Sequence, residues 1–252
     1  RLRKAVEQNE FIVYYQPMVD VNSGKVISME ALVRWQHPEK GLIPPMEFIP
    51  VAEECGLIIQ IGEFVMRTAC RQNSQWIKKG LSGVPVSVNL STVQFQQNNL
   101  IEMVLGILDE TGLDASYLQM EITESTAMND PVKTLSYMNQ LHDRGINFIV
   151  DDFGIGYSSL NYLKSFPVSM IKIDKYFIRN VTSNTNDAAI VTALFAMAQT
   201  MDIKVIAEGV ETLEQLEFLR SLQWKPLDTC KCYGVQGYYF SKPVPAEIFT
   251  DL

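Results

Sequence analysis

Cysteine and histidine are scarce in this sequence, which limits the chemistry it can support. Only four cysteines and two histidines occur among the 252 residues. The uneven spacing of Cys55, Cys70, Cys230 and Cys232 favours free thiols in a reducing compartment over a disulfide framework. Cys230 and Cys232 could in principle bind a soft metal, but no second pair of thiols accompanies them, so a zinc site of the usual kind is disfavoured.

Positive charge is also in short supply. The 21 lysines and arginines are outnumbered by 29 acidic residues, which gives a net charge of −8. Binding of polymeric nucleic acid through a broad basic face is thereby disfavoured, because that mode needs many cations against the phosphates. A small anionic ligand held through metal ions stays open.

Long hydrophobic runs are absent as well. The longest, such as Ala188 to Ala198, are too short to cross a bilayer, and no signal segment opens the chain. We therefore expect no membrane contact by this fragment and a cytoplasmic location, although a membrane anchor could lie elsewhere in the full-length protein. The first residue is Arg1 rather than Met, which suggests a fragment of a longer multidomain signalling protein. No Ser/Gly/Pro-rich linker divides residues 1–252, so we predict a single domain.

Eight β-rich runs alternate with segments of helical spacing, which predicts an α/β fold with a parallel sheet. The runs are FIVYYQPMVD, KVISMEALVRW, PVSVNLS, YLQMEIT, NFIVDDF, MIKIDKYFI, KVIAEGVE and VQGYYFSKP. Eight such units favour closure into a TIM (β/α)8 barrel. Only residues 21–24 separate the first two runs, too few for a crossover helix, so one strand should run antiparallel in a modified barrel.

Polar residues, mostly acidic, end these runs, where barrels of this kind carry their chemistry. They are Glu30, Asn89, Glu121, Asp151, Asp152, Lys172, Asp174, Glu208, Glu211 and Gln236. Carboxylates at this density would repel one another unless they take up protons or bind cations. The candidate ligands are all oxygen donors, which favours Mg²⁺ or Mn²⁺ over zinc. Ca²⁺ fits the same ligands and could be inhibitory, binding without supporting turnover.

Two of these acids, Asp151 and Asp152, are adjacent, and neighbours on a strand can face one pocket only where the strand ends. An aspartate at such a point can bridge two metal ions about 3.5–4 Å apart, the arrangement that activates water in phosphodiester cleavage. Lys172, on the next strand, could hold or deprotonate that water or offset charge on the phosphate. A lone strand-end acid is often a helix cap or surface ion pair instead, and for Glu124 and Glu211 this alternative is equally open.

Glu30-Ala31-Leu32 followed by Val33-Arg34-Trp35 resembles the signature of the EAL family of cyclic-di-GMP phosphodiesterases. The likeness continues from about Leu2 to Pro245, in the family's order and spacing, through YYQP, SVNLS, EITES, VDDFGIGYSSL, IKIDKYFI, IAEGVE and QGYYFSKP. This resemblance implies a modified TIM barrel with one antiparallel strand. It also implies metal-dependent hydrolysis of one phosphodiester bond of cyclic di-GMP, which yields linear pGpG.

The resemblance also assigns roles to residues. The metal ligands would be Glu30, Asn89, Glu121 and Asp151 at one site, and Asp151, Asp152 and Glu208 at the other. Lys172 would assist the nucleophilic water, with Glu208, Glu211 and Gln236 close to it. Substrate would be bound by Gln16, Leu32, Arg34, Asp174, Gly209 and Pro243, and Glu124 would anchor the loop that starts at Asp152. Pairing after the fifth strand implies a homodimer, for which Tyr157, Leu160, Tyr162 and Leu163 offer apolar area.

Two features depart from the family pattern. Ile155 stands where the family most often has Thr, which removes a hydrogen bond with a net value of about 0.5–1.5 kcal/mol. Residues 224–231 look like an insertion before the last strand, expected to lie harmlessly at the end of the barrel opposite the site. Because every motif residue of an active member is present, an enzyme is favoured over a non-catalytic cyclic-di-GMP receptor. A purely structural barrel would show no metal dependence.

Overall fold

The computed structural model describes residues 1–81, 83–155, 160–222 and 232–250, with only the backbone described at residues 160, 161, 232 and 233. Its strands are β1 Phe11–Asp20, β2 Val26–His37, β3 Gly41–Ile43, β4 Val86–Leu90, β5 Leu118–Thr123, β6 Asn147–Phe153, β7 Val168–Ile173, β8 Lys204–Glu208, β9 Cys232–Gln236 and β10 Val244–Pro245. Its α-helices are α1 Leu2–Glu7, α2 Pro45–Glu54, α3 Ile58–Lys78, α4 Thr92–Phe95, α5 Leu100–Thr111, α6 Glu124–Asn129, α7 Pro131–His142, α8 Leu160–Ser165, α9 Lys175–Arg179, α10 Thr185–Thr200, α11 Leu213–Ser221 and α12 Ala246–Phe249.

Eight of the strands close into a barrel. Their order around it is β1, β9, β8, β7, β6, β5, β4 and β2, and β2 pairs back with β1. β1 is antiparallel to both neighbours, whereas the remaining neighbours in the barrel are parallel. The predicted modified TIM barrel with one antiparallel strand is therefore confirmed. β3 and β10 are short antiparallel additions to β2 and β1 that the sequence pattern did not predict.

The hairpin between β1 and β2 follows from its turn residues. The side chain of Asp20 accepts hydrogen bonds from the backbone N–H groups of Asn22 and Ser23, at 3.2 and 2.6 Å. Gly24 then takes a positive φ of 68°, which a glycine adopts without strain. This tight reversal replaces the crossover helix found between the parallel strands.

The helices pack around the barrel through apolar faces that the sequence spacing predicts. In α5 the buried residues are Leu100, Val104, Ile107, Leu108 and Thr111, which lie on one face at helical spacing. The helix stops at Gly112, whose φ of 64° turns the chain out of the helix. Within the described residues, none of the helices is long and apolar enough to span a membrane.

The described cysteine side chains agree with the expectation of free thiols. Cys55 is exposed and Cys70 is buried, and neither is in a disulfide. Burial raises the pKa of the Cys70 thiol to about 12, so this group stays protonated at neutral pH. Cys230, the side chain of Cys232 and the insertion at residues 224–231 lie outside the described residues.

Candidate active site

Every strand of the barrel contributes one polar side chain to a single ring near one end of its interior. The ring consists of Gln16, Glu30, Asn89, Glu121, Asp151, Lys172, Glu208 and Gln236, from β1, β2, β4, β5, β6, β7, β8 and β9 in that order. Strand register aligns them, since Gln16 pairs with Glu30, Asn89 with Glu121, and Glu208 with Gln236. Two residues deeper along four of the strands, the buried cluster of Met18, Ile149, Met170 and Ile206 forms an apolar floor.

Lys172 is the centre of this ring and is almost fully buried. Its Nζ lies 3.1 Å from Glu30 Oε2, 2.8 Å from Glu121 Oε2, 3.7 Å from Asp151 Oδ1 and 2.6 Å from Glu208 Oε1. One ammonium group thus faces four carboxylates. The sequence predicted that these residues would meet, but not that the lysine would lie among all the acids at once.

Amide side chains hold Glu30 in place. Asn89 Nδ2 donates to Glu30 Oε1 at 2.6 Å, and Gln236 Nε2 donates to Glu30 Oε2 at 2.7 Å. Gln236 Nε2 also donates to Gln16 Oε1 at 3.0 Å, and Gln16 in turn donates to the carbonyl of Ser241. Both oxygens of Glu30 are therefore fixed before any ligand arrives.

The excess of negative charge shifts the acids of the ring. Burial, together with the charge of Glu30, raises the pKa of Glu121 well above its ordinary value. Burial, together with Asp151 and Glu30, outweighs the opposing effect of Lys172 and raises the pKa of Glu208 to about 8. The pKa of Lys172 is also raised: burial opposes its charge, but the surrounding carboxylates raise its pKa well above the ordinary value, so the ammonium form is favoured. Among the acids of the ring, Glu30 alone has a lowered pKa: burial would raise it, but Lys172 and the amides of Gln236 and Asn89 together outweigh burial.

A second group of acids overlaps the ring. Asp151, Asp152 and Glu208 each offer a carboxylate oxygen, and these oxygens lie within 4.8 Å of one another. Asp152 has a positive φ of 53°, which is uncommon outside glycine and lets it face the same space as Asp151. Burial, the charge of Asp151 and the contact with Asp174 raise the pKa of Asp152 to about 6. Asp174 is buried, and it also caps α9 by accepting from the N–H of Tyr176 at 2.6 Å.

The segment after Asp152 reaches Glu124. Glu124 is buried at the start of α6, and its Oε2 accepts from the N–H of Gly154 over 3.5 Å. It is not the helix cap, since Thr123 accepts the N–H of Thr126 in that role. Ile155 is 60% exposed, and residues 156–159 lie outside the described part of the chain. Glu124 thus contacts the start of the loop from outside the ring.

An open pocket of about 260 Å³ adjoins the ring. Of the predicted substrate and catalytic residues, it is lined by Gln16, Leu32, Gly209, Glu211 and Gln236, beside Glu30 and Glu208. Glu211 is exposed, and within the described residues it forms no ion pair, so the surface ion-pair alternative does not account for it.

Three predicted substrate residues are not in this lining: Asp174, which contacts Asp152 as described above, and Arg34 and Pro243. Arg34 Nη1 donates to the carbonyl of Val33 at 2.8 Å, and its guanidinium lies 5.7 Å from the ring centre of Tyr14. Pro243 is half-buried directly before β10, whose Val244 pairs with Tyr15 of β1. Arg34 and Pro243 therefore lie beside the strand that carries Gln16 rather than among the lining residues.

Three further residues line the pocket that the sequence did not single out: Lys175, Gly237 and Tyr238. Lys175 directly follows Asp174, and the run containing Lys172 and Asp174 was the signal that could have found it. Gly237 lies where any side chain would collide, since a Cβ there would be only 2.0 Å from the carbonyl oxygen of Val210.

Two expectations need correction. Glu30 does not end its run, because β2 continues to His37, where its last residues pair with β3. Leu163 does not offer apolar surface for pairing, because it is 4% exposed and packs against Phe153 and Phe166 around a small cavity under α8. Tyr162 is 42% exposed, whereas Tyr157 and the side chain of Leu160 lie outside the described residues.

Comparison with known proteins identifies a matching family and similar proteins. The model of the EAL domain family matches residues 1–243. The chain is similar to the bifunctional diguanylate cyclase/cyclic di-GMP phosphodiesterase MucR of Pseudomonas aeruginosa, with 44% identity over 246 residues that cover 98% of this chain and 35% of that protein. It is also similar to the cyclic di-GMP phosphodiesterase NbdA of the same species, with 38% identity over 250 residues, 99% of this chain and 31% of that protein. The chain thus spans about a third of the length of these relatives.

A solved structure shares the fold in detail. It is described as PaMucR phosphodiesterase in complex with c-di-GMP, and it matches with a TM-score of 0.93 at 44% identity, covering 98% of this chain and 97% of that one.

Proposed function

Because the chain belongs to the EAL domain family, we propose that it hydrolyses one phosphodiester bond of cyclic di-GMP to give linear pGpG, using two divalent cations, Mg²⁺ or Mn²⁺. One observation carries this proposal: the ring in which four carboxylates surround the single ammonium of Lys172. Such an excess of buried negative charge is stable only with protons or cations to offset it.

The residues present fit divalent cations. Glu121 Oε1 is buried and has no hydrogen-bond partner within the described residues, although an unpaired carboxylate oxygen is expensive to bury. The candidate ligands are oxygen donors, which suits Mg²⁺ or Mn²⁺. We assign Glu30, Asn89, Glu121 and Asp151 to one cation, and Asp151, Asp152 and Glu208 to the other.

When bound, the cations would activate a water molecule and stabilise the leaving oxygen. Lys172 holds its proton among the carboxylates, so it is suited to hold the attacking water or to offset charge on the phosphate. A role as general base would first require its carboxylate contacts to be replaced. Gln236 and Glu211 line the pocket where substrate would lie, and Gln236 keeps Glu30 oriented.

On the substrate side we assign binding to Gln16, Leu32, Arg34, Asp174, Gly209 and Pro243. Gln16, Leu32 and Gly209 line the pocket. Arg34 could turn its planar guanidinium from the carbonyl of Val33 to a phosphate, to which it can donate two hydrogen bonds at once. Glu124 would hold the loop that begins at Asp152.

Incubation of the domain with cyclic di-GMP and Mg²⁺ or Mn²⁺, followed by separation of the products, tests the proposal. We expect pGpG, and we expect EDTA to abolish its formation. Tight binding of cyclic di-GMP without pGpG would support the alternative of a non-catalytic receptor. Full activity after exhaustive EDTA treatment would overturn the metal assignment.

Two further expectations stay predictions. A homodimer formed through the region after β6 would use Tyr162 and residues outside the described part of the chain, and a strictly monomeric mass with undiminished activity would count against it. The cytoplasmic location expected from the sequence is the second of these predictions.

A further inference from the structure

The pocket beside the ring contains a lysine for which the proposed mechanism has no role. Lys175 lines this pocket together with Glu208, Glu211 and Gln236. It is exposed, and no carboxylate lies within salt-bridge distance of its ammonium in the described part of the chain. Lys172, in contrast, already contacts four carboxylates.

Helix stability does not explain a lysine at this position. Lys175 is the first residue of α9, and the exposed N–H groups at a helix start disfavour a nearby positive charge. The neighbouring strand instead makes room for the lysine. Gly209 has a φ of 68°, and a Cβ at Gly209 would lie 2.5 Å from the Cβ of Lys175. The stem of Lys175 therefore lies against the end of β8, at the wall of the pocket.

The charge of the groups that line the pocket explains why a second lysine, in addition to Lys172, would be useful there. The other ionisable groups that line it are the acids Glu30, Glu208 and Glu211 and the phenol of Tyr238. A cyclic dinucleotide carries two phosphodiester groups, and only one of them is cleaved at the ring. Glu30 and Glu208 are assigned to the divalent cations, but Glu211 is not, so the other phosphate would be repelled by Glu211 unless a positively charged side chain faces it.

We propose that Lys175 binds the phosphate of the cyclic dinucleotide that is not cleaved. This inference rests on the proposed function and extends it, because it makes recognition of a second phosphate a property of this pocket. The ammonium acts as a point charge on a flexible stem and therefore adjusts to the phosphate without fixing the base. Its interaction is the same in the ground state and the transition state, so it contributes to binding rather than to the chemical step.

Binding of cyclic di-GMP in the presence of Ca²⁺, the cation expected not to support turnover, tests this role by calorimetry. Lys175→Met keeps the stem beside Gly209 but removes the charge, and we expect the Kd to rise by about 5- to 20-fold. Lys175→Arg should return it to within about 3-fold of the wild type. The matched control is Lys79→Met, an exposed lysine at the C-terminal end of α3, which should leave the Kd unchanged. Affinity should also depend less on salt in Lys175→Met than in the wild type.

Kinetics separate this role from a structural one. With Mg²⁺, Lys175→Met should raise the KM for cyclic di-GMP with kcat within about 2-fold. The ratio of kcat/KM for cyclic di-GMP to that for bis(p-nitrophenyl) phosphate, which has a single phosphate, should fall by about 5-fold or more. A Kd within 2-fold of the wild type, with the same salt dependence, would overturn the proposal. So would a loss of kcat that arginine does not restore, because it would mean that the stem only supports β8.

Failure of the proposed hydrolysis gives a different result. If the wild type binds cyclic di-GMP but forms no pGpG, the hydrolysis proposal fails while the Kd series still decides the role of Lys175. If the wild type binds no cyclic di-GMP, both proposals fall.

Discussion

Removing divalent cations from this domain should make its stability fall as the pH rises from about 5.5 to about 8. The cause is the ring of buried acids, of which Glu208 is the clearest case. Burial and neighbouring acids raise its pKa from 4.5 to about 8 in the folded chain. An acid whose pKa is higher in the folded than in the unfolded state stabilises the fold below its unfolded pKa. That stabilisation is lost as the pH rises through the folded value, because the folded carboxylate must then become a charged, buried group.

The size of the effect follows from the shift. Each pKa unit is worth about 1.4 kcal/mol, so the whole shift of Glu208 corresponds to about 5 kcal/mol. Its side chain keeps 18% of its exposure, and its ionisation depends on the charges of Asp151 and Glu30, so the contribution of this residue alone is smaller. We expect a net loss of about 1–3 kcal/mol in the free energy of unfolding across the window. The raised pKa of Lys172 adds no slope there, because the lysine is charged throughout in both states.

Urea denaturation of the EDTA-treated domain at several pH values between about 5.5 and 8 measures this loss. Glu208→Gln is the control, since a neutral amide should reduce the change of the free energy of unfolding with pH. Saturating Mg²⁺ should also flatten or reverse it, because cations stabilise the ionised acids. A free energy of unfolding that is constant or rises with pH in the metal-free wild type would refute the reasoning. The stop at about pH 8 keeps titration of the Cys70 thiol outside the window.

Three substitutions test other parts of the site. Asp151→Asn should lower turnover of cyclic di-GMP by more than about 100-fold, because Asp151 belongs to both groups of acids, and undiminished turnover would sink the ligand assignment. Ile155→Thr should lower the Mg²⁺ concentration needed for half-maximal activity by about 2- to 10-fold if the restored hydroxyl forms a hydrogen bond. Superimposable activation curves would mean that the isoleucine has no effect on activity. Gly209→Ala should lower the free energy of unfolding by about 1–3 kcal/mol because of its positive φ and its contact with Lys175, whereas Gly106→Ala, on the open face of α5, should raise it by about 0.5–1 kcal/mol. Equal thermal midpoints for these two glycine variants would contradict the reading of Gly209.

The barrel was predictable because its signals are local. The strand runs are bounded and rich in β-branched or aromatic residues, and residues 21–24 leave room only for a turn, so the antiparallel strand followed from counting. β3 and β10, at three and two residues, are too short to show a period and depend on pairing with longer strands. Leu163 could not be assigned to core or surface from its type, because packing under α8 decides its burial.

Most residues of the ring were predictable from the sequence, but their arrangement was not. Polar residues that recur near strand ends indicate a shared edge of the barrel, and this pattern predicted seven of the eight ring residues, whereas Gln16 followed only from the family resemblance. The position of Lys172 among four carboxylates depends on strand register, which no short stretch of sequence encodes. The left-handed backbone of Asp152 is likewise set by the loop around it, since aspartate does not require that conformation.

The double pairing of β1 has a consequence for synthesis of the protein on the ribosome. β1 pairs with β2, which follows it directly in the sequence, and with β9, which is among the last strands of this domain to be synthesised. Gln236 reaches Gln16 across 220 residues of sequence, and Lys172 reaches Glu30 across 142. A nascent chain can therefore form the β1–β2 hairpin early but cannot complete the ring until translation of the domain has nearly finished. Partly made chains, and chains truncated before β9, would expose an unpaired edge and lack a complete ring, so the ring forms only after β9 has been synthesised.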